Sequence, residues 1–507
     1  MYYTITRKRG ISLKKVYLLI NSLGLGRGGL TKANLQQANL FSKLGYETSI
    51  LTFNYDGDYK KIVEDIHSLY NLNKDVKIIN MYDYFRNENK VIQKFNTYED
   101  LINDDTIVER NDTKGTMKLY ERGLYVKNVA FRNDKTLKII DYFNNANYRI
   151  KTEYYALEGY IGKVSHMDYN LNAPRQMVFY NSIGDCYLRK VVNPENRLAT
   201  KVDIIRNKEI VKSFKDDQQF KIHFVEEIIK ENEESIIISD ARNTDEILIN
   251  VKNKNVKKYI RLHSNHLDAN GNIVNMVKPA IENMKHIDSL IVLTEQQKND
   301  IVNEFGYFEK ITAIPHGITV TQPIEIDNET KENKAVIISR LVKLKQINHI
   351  IEAFNLIKNQ IPDLILEIYG TGLELENLKK LVNKYGLESK ISFQGYTDNP
   401  LEVYRKSLFS MTTSRTEGFS LGILESMSCG TPVISYDFKY GPNEIINNEE
   451  DGLIIKQNDI NELSKKILHL YNNRDLLSNM SKKAIENTEA KFSVNKIEND
   501  WYKLLKQ

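Results

Sequence analysis

Cysteine, proline and tryptophan are scarce: the chain has 2, 9 and 1 of them in 507 residues. Cys186 and Cys429 lie far apart, so no disulfide framework organises the fold, and both read as free thiols of a reducing compartment. Long apolar runs are missing too, with nothing near the roughly 20 residues that cross a bilayer. The opening MYYTITRKRGISLKKVYLLINSLG sets basic residues before an apolar run, but that run covers only 16–20 and leads into a glycine-rich loop, too short for a secretory leader. Charge of one sign is not in excess either. Lys and Arg number 71 against 67 Asp and Glu, a net +4 that argues against a nucleic-acid binder. The expectation is a cytoplasmic protein, attached to a membrane at most peripherally through surface lysines.

A hydrophobic fraction of 41% with 27% charged is ordinary for a soluble globular protein. At this length the chain divides into about two or three domains. Residues 16–20 read as a strand, 21–31 as a glycine-rich loop, 32–45 as a helix with Ala33, Leu35, Ala38, Phe41 and Leu44 on one face, and 48–53 as the next strand. Gly28 and Gly29 let backbone approach a phosphate or sugar at the helix start, although a glycine loop alone is equally a plain turn. Between 85 and 214 the texture changes to short alternating runs broken by Asn, Asp and Gly, such as LYVKNVAFRND and RQMVFYNSIGDCYLRKVV, which predicts an antiparallel meander. Its aromatics either serve self-association or a polymer-binding face, or are buried on one side within the monomer; the pattern leaves both open. Strand–helix alternation resumes at 220 and starts afresh after the polar linker TQPIEIDNETKENK.

The stretch around which the chain is organised is SRTEGFSLGILESMSCGTPVISYD, 414–437. Glu417 and Glu425 stand seven residues apart, across a turn that opens a helix, and Gly430 and Pro432 stop that helix ahead of a buried strand at 432–436. In an open α/β sheet, ligands sit in loops at the carboxyl ends of strands, and the helix that follows offers unpaired N–H groups to a diphosphate. Glu417 can accept from hydroxyls of a polar ligand and Glu425 from a ribose diol, which points to a nucleotide sugar. The bland alternative, a cap and a solvated charge, fits poorly with so apolar a neighbourhood. Arg340 and Lys345 follow the strand at 335–339 and hang at its carboxyl end, where they are either ordinary surface cations of a helix-opening loop or cations that stabilise a developing diphosphate charge. His263 ends another strand, with His266 nearby.

These residues carry a resemblance. EGFSLGILESMSCGTPVI is similar to the E-x7-E signature, and SRLVKLK to the S-R-L-x3-K motif, of the large retaining glycosyltransferase family built from two facing Rossmann-like domains, the GT-B type. The resemblance implies an α/β fold of that type carrying an inserted antiparallel β domain. The domains run 1–84, 85–214 (the insert), 215–320 and 321–490, with a terminal helix at 491–507 packing back on the first domain. It implies retaining transfer, in which the donor phosphate helps remove the acceptor proton, with no metal or cofactor. The implied catalytic residues are Arg340, Lys345, Glu417 and His263, the last through its carbonyl. The implied donor-binding residues are Gly28, Gly29, Gly370, Tyr396, Gly418, Phe419, Ser420, Leu421 and Glu425. His266 is assigned to the acceptor.

A narrower likeness lies in GGLTKANLQQANLFSKLGYETSILTFNYDGDY, the meander, HSNHLDANG, ISRLVKLKQI and YDFKYGPNEII. These resemble the α-glycosyltransferases that decorate wall teichoic acid in Gram-positive bacteria. That likeness implies UDP-glucose as donor, poly(glycerol phosphate) as acceptor, and a homotrimer assembled by the β insert. A poly(ribitol phosphate) N-acetylglucosaminyltransferase using UDP-GlcNAc, a glycosyltransferase of serine-rich adhesins, and a silent sugar-binding or scaffolding subunit are the rival readings. Retention of Arg340, Lys345, Glu417 and Glu425 speaks against the silent subunit.

Overall fold

The structure is a computed structural model that describes residues 14–24, 29–86, 101–230, 233–268, 271–319 and 331–506. The chain divides into two compact units, 1–259 and 260–507.

In the first unit, strands β1 (Lys15–Ile20), β2 (Glu47–Thr52) and β3 (Lys77–Asn80) lie side by side in that order, all parallel. The helix between β1 and β2 spans Gly29–Lys43, beginning three residues before the position its apolar periodicity predicts. Ten strands follow, from β4 (Thr106–Asn111) to β13 (Glu209–Phe214), in one antiparallel sheet whose spatial order repeats the chain order. Several of its turns are two-residue connections with left-handed backbone, as at Arg122–Gly123 (φ 50° and 79°) and Asn207–Lys208 (φ 49° and 67°), the geometry that matches strand twist. Met117, Leu119, Val129, Leu137, Ile140 and Tyr155 pack into a core on one face of this sheet. Burial within the chain therefore accounts for part of the meander's apolar content. The edge strands remain apolar outside, with Ile107 59% exposed on β4 and Ile210 and Val211 50% and 57% exposed on β13. Strand β14 (Ser235–Ser239) returns the chain to β1, its parallel partner.

Strand β15 (Val256–Arg261) leads into the second unit, where β16 (Ser289–Val292) pairs in parallel with β17 (Ile311–Ala313). Six further strands form a parallel sheet: β18 (Lys334–Ile338), β19 (Ile365–Tyr369), β20 (Ile391–Gly395), β21 (Phe409–Thr412), β22 (Val433–Tyr436) and β23 (Leu453–Ile455). Their order is β20-β19-β18-β21-β22-β23. The chain winds outward from β18 in one direction, then returns to the other side of β18 and winds the opposite way, which is the doubly wound dinucleotide-binding order. Short apolar runs give the strands, buried on both faces at β21 and β22, and helix Ile347–Ile357 covers one face because Ile347, Ile350, Ile351, Phe354 and Ile357 recur at helical spacing and are all buried. The terminal helix, Val494–Lys506, buries Trp501, whose ring takes the Arg261 guanidinium at 5.3 Å from its centroid. No helix among the described residues is long and apolar enough to cross a membrane.

Candidate active site

The strand order reverses between β18 and β21, so the loops leaving their carboxyl ends diverge and open a crevice. After β18 the chain passes through Ser339 and Arg340 into a 3-10 turn at Lys343–Lys345. After β21 it runs through Thr413 and Ser414 to Glu417, and helix Leu421–Ser428 then begins. The two loops are laced together. Thr413 Oγ1 bonds the carbonyls of Lys345 (2.9 Å) and Gln346 (3.0 Å), and the Arg415 N–H donates to the Leu344 carbonyl at 2.9 Å.

A cavity of about 280 Å³ opens at this point, and its wall holds cations, a carboxylate and a helix start. Lys345 Nζ donates to Glu417 Oε1, and Ser414 Oγ donates to the same oxygen at 2.8 Å. Glu417 Oε2 receives no hydrogen bond among the described residues, so one carboxylate oxygen is left to accept from a ligand hydroxyl. The ammonium of Lys345 has three donors and commits one to Glu417, leaving capacity for an anion. Arg340 is exposed, and its guanidinium makes no hydrogen bond or ion pair among the described residues. Leu421 and Gly422, which also line the cavity, supply first-turn N–H groups that a helix cannot satisfy internally. The charge pattern suits an anion held between Arg340, Lys345 and a helix start, with a hydroxylated group beside Glu417.

Imidazole also lines the cavity. His263 and His316 stack at 5.6 Å between centroids, and Phe419 meets His316 edge-on at 5.9 Å. Burial first, and then the neighbouring Arg261 and His263, press the His316 pKa well below its ordinary value, so this ring is neutral at physiological pH. Gly418 packs so closely on His263 that a Cβ would stand 2.2 Å from the His263 carbonyl oxygen and 2.8 Å from Ser264 Cα. Backbone cannot yield to that, which explains glycine directly after the glutamate.

Of the residues singled out from the sequence, the cavity wall brings together His263, Arg340, Lys345, Glu417, Gly418, Phe419, Ser420 and Leu421. Gly370 lies one layer behind, its Cα against the Ser339 carbonyl, where a Cβ would sit 1.8 Å from the oxygen. Glu425 is half-buried further along the helix and outside the wall; burial, and after it the Glu425 charge, raise the pKa of Tyr404, which does line the cavity. Tyr396 is 80% exposed and also outside the wall. His266 is buried behind the site with its ring parallel to that of Tyr440. Gly29 opens the Gly29–Lys43 helix of the first unit, and Gly28 lies outside the described residues. Sequence reasoning passed over His316, Ser339, Thr413 and Ser414. The first two could have been found, since His316 follows β17 and Ser339 follows β18 at the ends where ligands collect. Among the described residues, no group of three or more His, Cys, Asp or Glu is placed to hold a metal ion.

Residues 321–487 match the family described as glycosyl transferases group 1, and residues 17–207 match glycosyl transferase 1 domain A. The second half of the chain thus carries a glycosyl transferases group 1 domain. It is 28% identical to the poly(ribitol-phosphate) alpha-N-acetylglucosaminyltransferase of Staphylococcus aureus, over 97% of this chain and 99% of that one. It is also 28% identical to the poly(glycerol-phosphate) alpha-glucosyltransferase of Bacillus subtilis, over 95% of this chain and 74% of that one. A crystal structure of a variant of S. aureus TarM in complex with fondaparinux, alpha-GlcNAc-glycerol and UDP superposes with a TM-score of 0.84 at 27% identity, covering 98% of this chain and 100% of that one. The fold is accordingly GT-B, two Rossmann-like domains with an antiparallel sheet domain in the N-terminal half. Both relatives are named as α-glycosyltransferases of polyol-phosphate polymers.

Proposed function

We propose that this glycosyltransferase moves glucose from UDP-glucose onto poly(glycerol phosphate) wall teichoic acid with retention of the α configuration. The observation that carries the reading is the convergence of Arg340, Lys345 and Glu417 in one cavity where the strand order of a doubly wound sheet reverses. In this reading the UDP diphosphate lies against Arg340, Lys345 and the N–H groups of Leu421 and Gly422, which meet the charge that develops as the glycosidic bond breaks. Glu417 Oε2 accepts from sugar hydroxyls and Glu425 is assigned to the ribose. The His263 carbonyl, packed on Gly418, borders the sugar. The leaving phosphate takes the acceptor hydroxyl's proton on the same face of the sugar, and no metal ion is assigned a part.

A second reading, transfer of N-acetylglucosamine to poly(ribitol phosphate), is favoured by the full-length match to the S. aureus enzyme of that name. The deciding assay is UDP release by purified protein, with UDP-glucose and UDP-GlcNAc crossed against both polymers and a serine-rich polypeptide. Turnover is expected with glucose and the glycerol polymer. Turnover only with GlcNAc and the ribitol polymer would establish the second reading in its place, and turnover only with the polypeptide would remove both.

The exposed apolar edges of the ten-stranded sheet support a homotrimer built through that sheet. Sedimentation equilibrium is expected to give three times the chain mass of 59.0 kDa, falling to one when Ile210 and Val211 are both changed to glutamate. A wild-type protein that sediments as a single chain would overturn this assembly.

A further inference from the structure

Behind the cavity, Glu417 is held by its backbone as well as by its side chain. Its N–H donates to the Lys439 carbonyl at 2.9 Å, and its carbonyl accepts the Tyr440 N–H at 2.9 Å. The Thr416 hydroxyl donates to the same Lys439 carbonyl at 2.7 Å. The loop that sets the glutamate is thus clamped on both sides by two consecutive residues. Both of those residues then end on one atom elsewhere: Lys439 Nζ and the Tyr440 hydroxyl donate to Asp300 Oδ2, at 2.6 and 2.8 Å. Asp300 belongs to helix Glu295–Phe305 and does not touch the cavity wall.

Asp300 is half-buried, and nothing in the reaction assigned above uses it. Burial opposes its ionisation, but the Lys439 and Tyr440 hydrogen bonds outweigh burial and hold its carboxyl below the usual carboxylate range. The other face of Tyr440 is fixed by His266, whose ring lies nearly parallel to it (12°, 6.1 Å between centroids). Burial first, with Asp300 opposing, takes the His266 pKa down to about 4, so a neutral ring backs the tyrosine at physiological pH. Among the described residues neither His266 nitrogen has a hydrogen-bond partner, which leaves the imidazole a packing surface rather than a proton carrier.

We propose that Asp300 is a positioning residue for sugar transfer, clasping Lys439 and Tyr440 so that their backbone holds Glu417 in register with Lys345 and the donor sugar. The inference rests on the assignment of Glu417 to the sugar. A carboxylate that accepts two hydrogen bonds at a single oxygen fixes both side chains, and hence the peptide between them, more firmly than a neutral acceptor can. Small shifts of a substrate-gripping group away from the reacting centre lower the rate steeply.

The test is a double-mutant cycle of Asp300→Asn with Glu417→Gln in the full chain, read by UDP release with the active donor and acceptor pair and by the dissociation constant for UDP alone. Asp300→Asn is expected to lower kcat about ten-fold while leaving UDP affinity within about two-fold, because Glu417 is assigned to the sugar and not to the nucleotide. In the Glu417→Gln background the same change is expected to lower kcat less than about two-fold, the non-additivity of residues acting through one another. Asp300→Glu is expected to restore part of the rate. Equal losses in both backgrounds, an unchanged kcat, or a loss of UDP affinity as large as the loss of rate would each overturn the clasp. If Asp300→Asn does not fold, Tyr440→Phe, which deletes one oxygen and keeps the ring against His266, enters the same cycle with the same expectations. A normal rate for Glu417→Gln alone would instead remove the assignment of Glu417, and the clasp with it.

Discussion

Lys345→Ala is expected to cut sugar transfer by about 10²–10³-fold, the range seen when one preorganised donor to a developing negative charge is lost. The geometry makes the size of the effect plain. Lys345 ends a 3-10 turn whose position is pinned by Thr413 and by the Arg415 amide, so its Nζ reaches the cavity with little freedom left to lose on binding a diphosphate. The only hydrogen-bond partner of Nζ among the described residues is Glu417. Removing the cation therefore takes away charge stabilisation and leaves the glutamate carboxylate facing a dianionic leaving group. Lys345→Arg should recover only part of the loss, because a planar fork does not replace a compact ammonium at a fixed distance. The neighbouring Lys343 is exposed, and Lys343→Ala should stay within about two-fold of the wild-type rate. The check is steady-state UDP release beside a thermal melt. A Lys345→Ala protein that melts normally and transfers sugar at the wild-type rate would show that the cation is not used.

Glu417→Gln is expected to lower transfer by about 10²-fold with a signature opposite to that of the lysine change. The amide keeps the shape and one acceptor oxygen, so Ser414 retains a partner and the loop should stay folded. Charge is what goes. Because Glu417 holds Lys345 in the free protein, neutralising it releases the ammonium toward the diphosphate, and UDP should bind as tightly as before or tighter while transfer falls. Lys345→Ala should weaken UDP and slow transfer together. Calorimetry with UDP alongside the rate assay separates the two residues' roles, and a parallel loss of UDP affinity in Glu417→Gln would put the glutamate on the nucleotide instead of the sugar.

Much of this was legible from residue order because a parallel sheet announces itself locally. Runs such as KAVII and VISY are buried on both faces and read as strands without tertiary information, and the residue after each strand is then a candidate at the ligand end. Arg340, Lys345 and Glu417 follow from that rule, and the structure places them around one cavity. What stayed hidden depends on pairs distant in sequence. Asp300 looks like an ordinary exposed charge on a helix, and its partner Lys439 lies 139 residues away. His316 stands in a short Pro-His-Gly stretch whose neighbour, His263, comes from a different strand end. The meander was readable as alternation, but alternation alone did not reveal which apolar side chains turn inward. Leu119 and Val129 are buried, whereas Ile210 and Val211 are not, because β13 is an edge strand with no sheet beyond it.

The most direct measurement is a crystal structure of the protein with UDP-glucose or UDP bound. The diphosphate is predicted to lie within hydrogen-bond distance of both Arg340 and Lys345, with any ordered sugar contacting Glu417. A nucleotide bound in good density elsewhere, touching neither cation, would contradict the account.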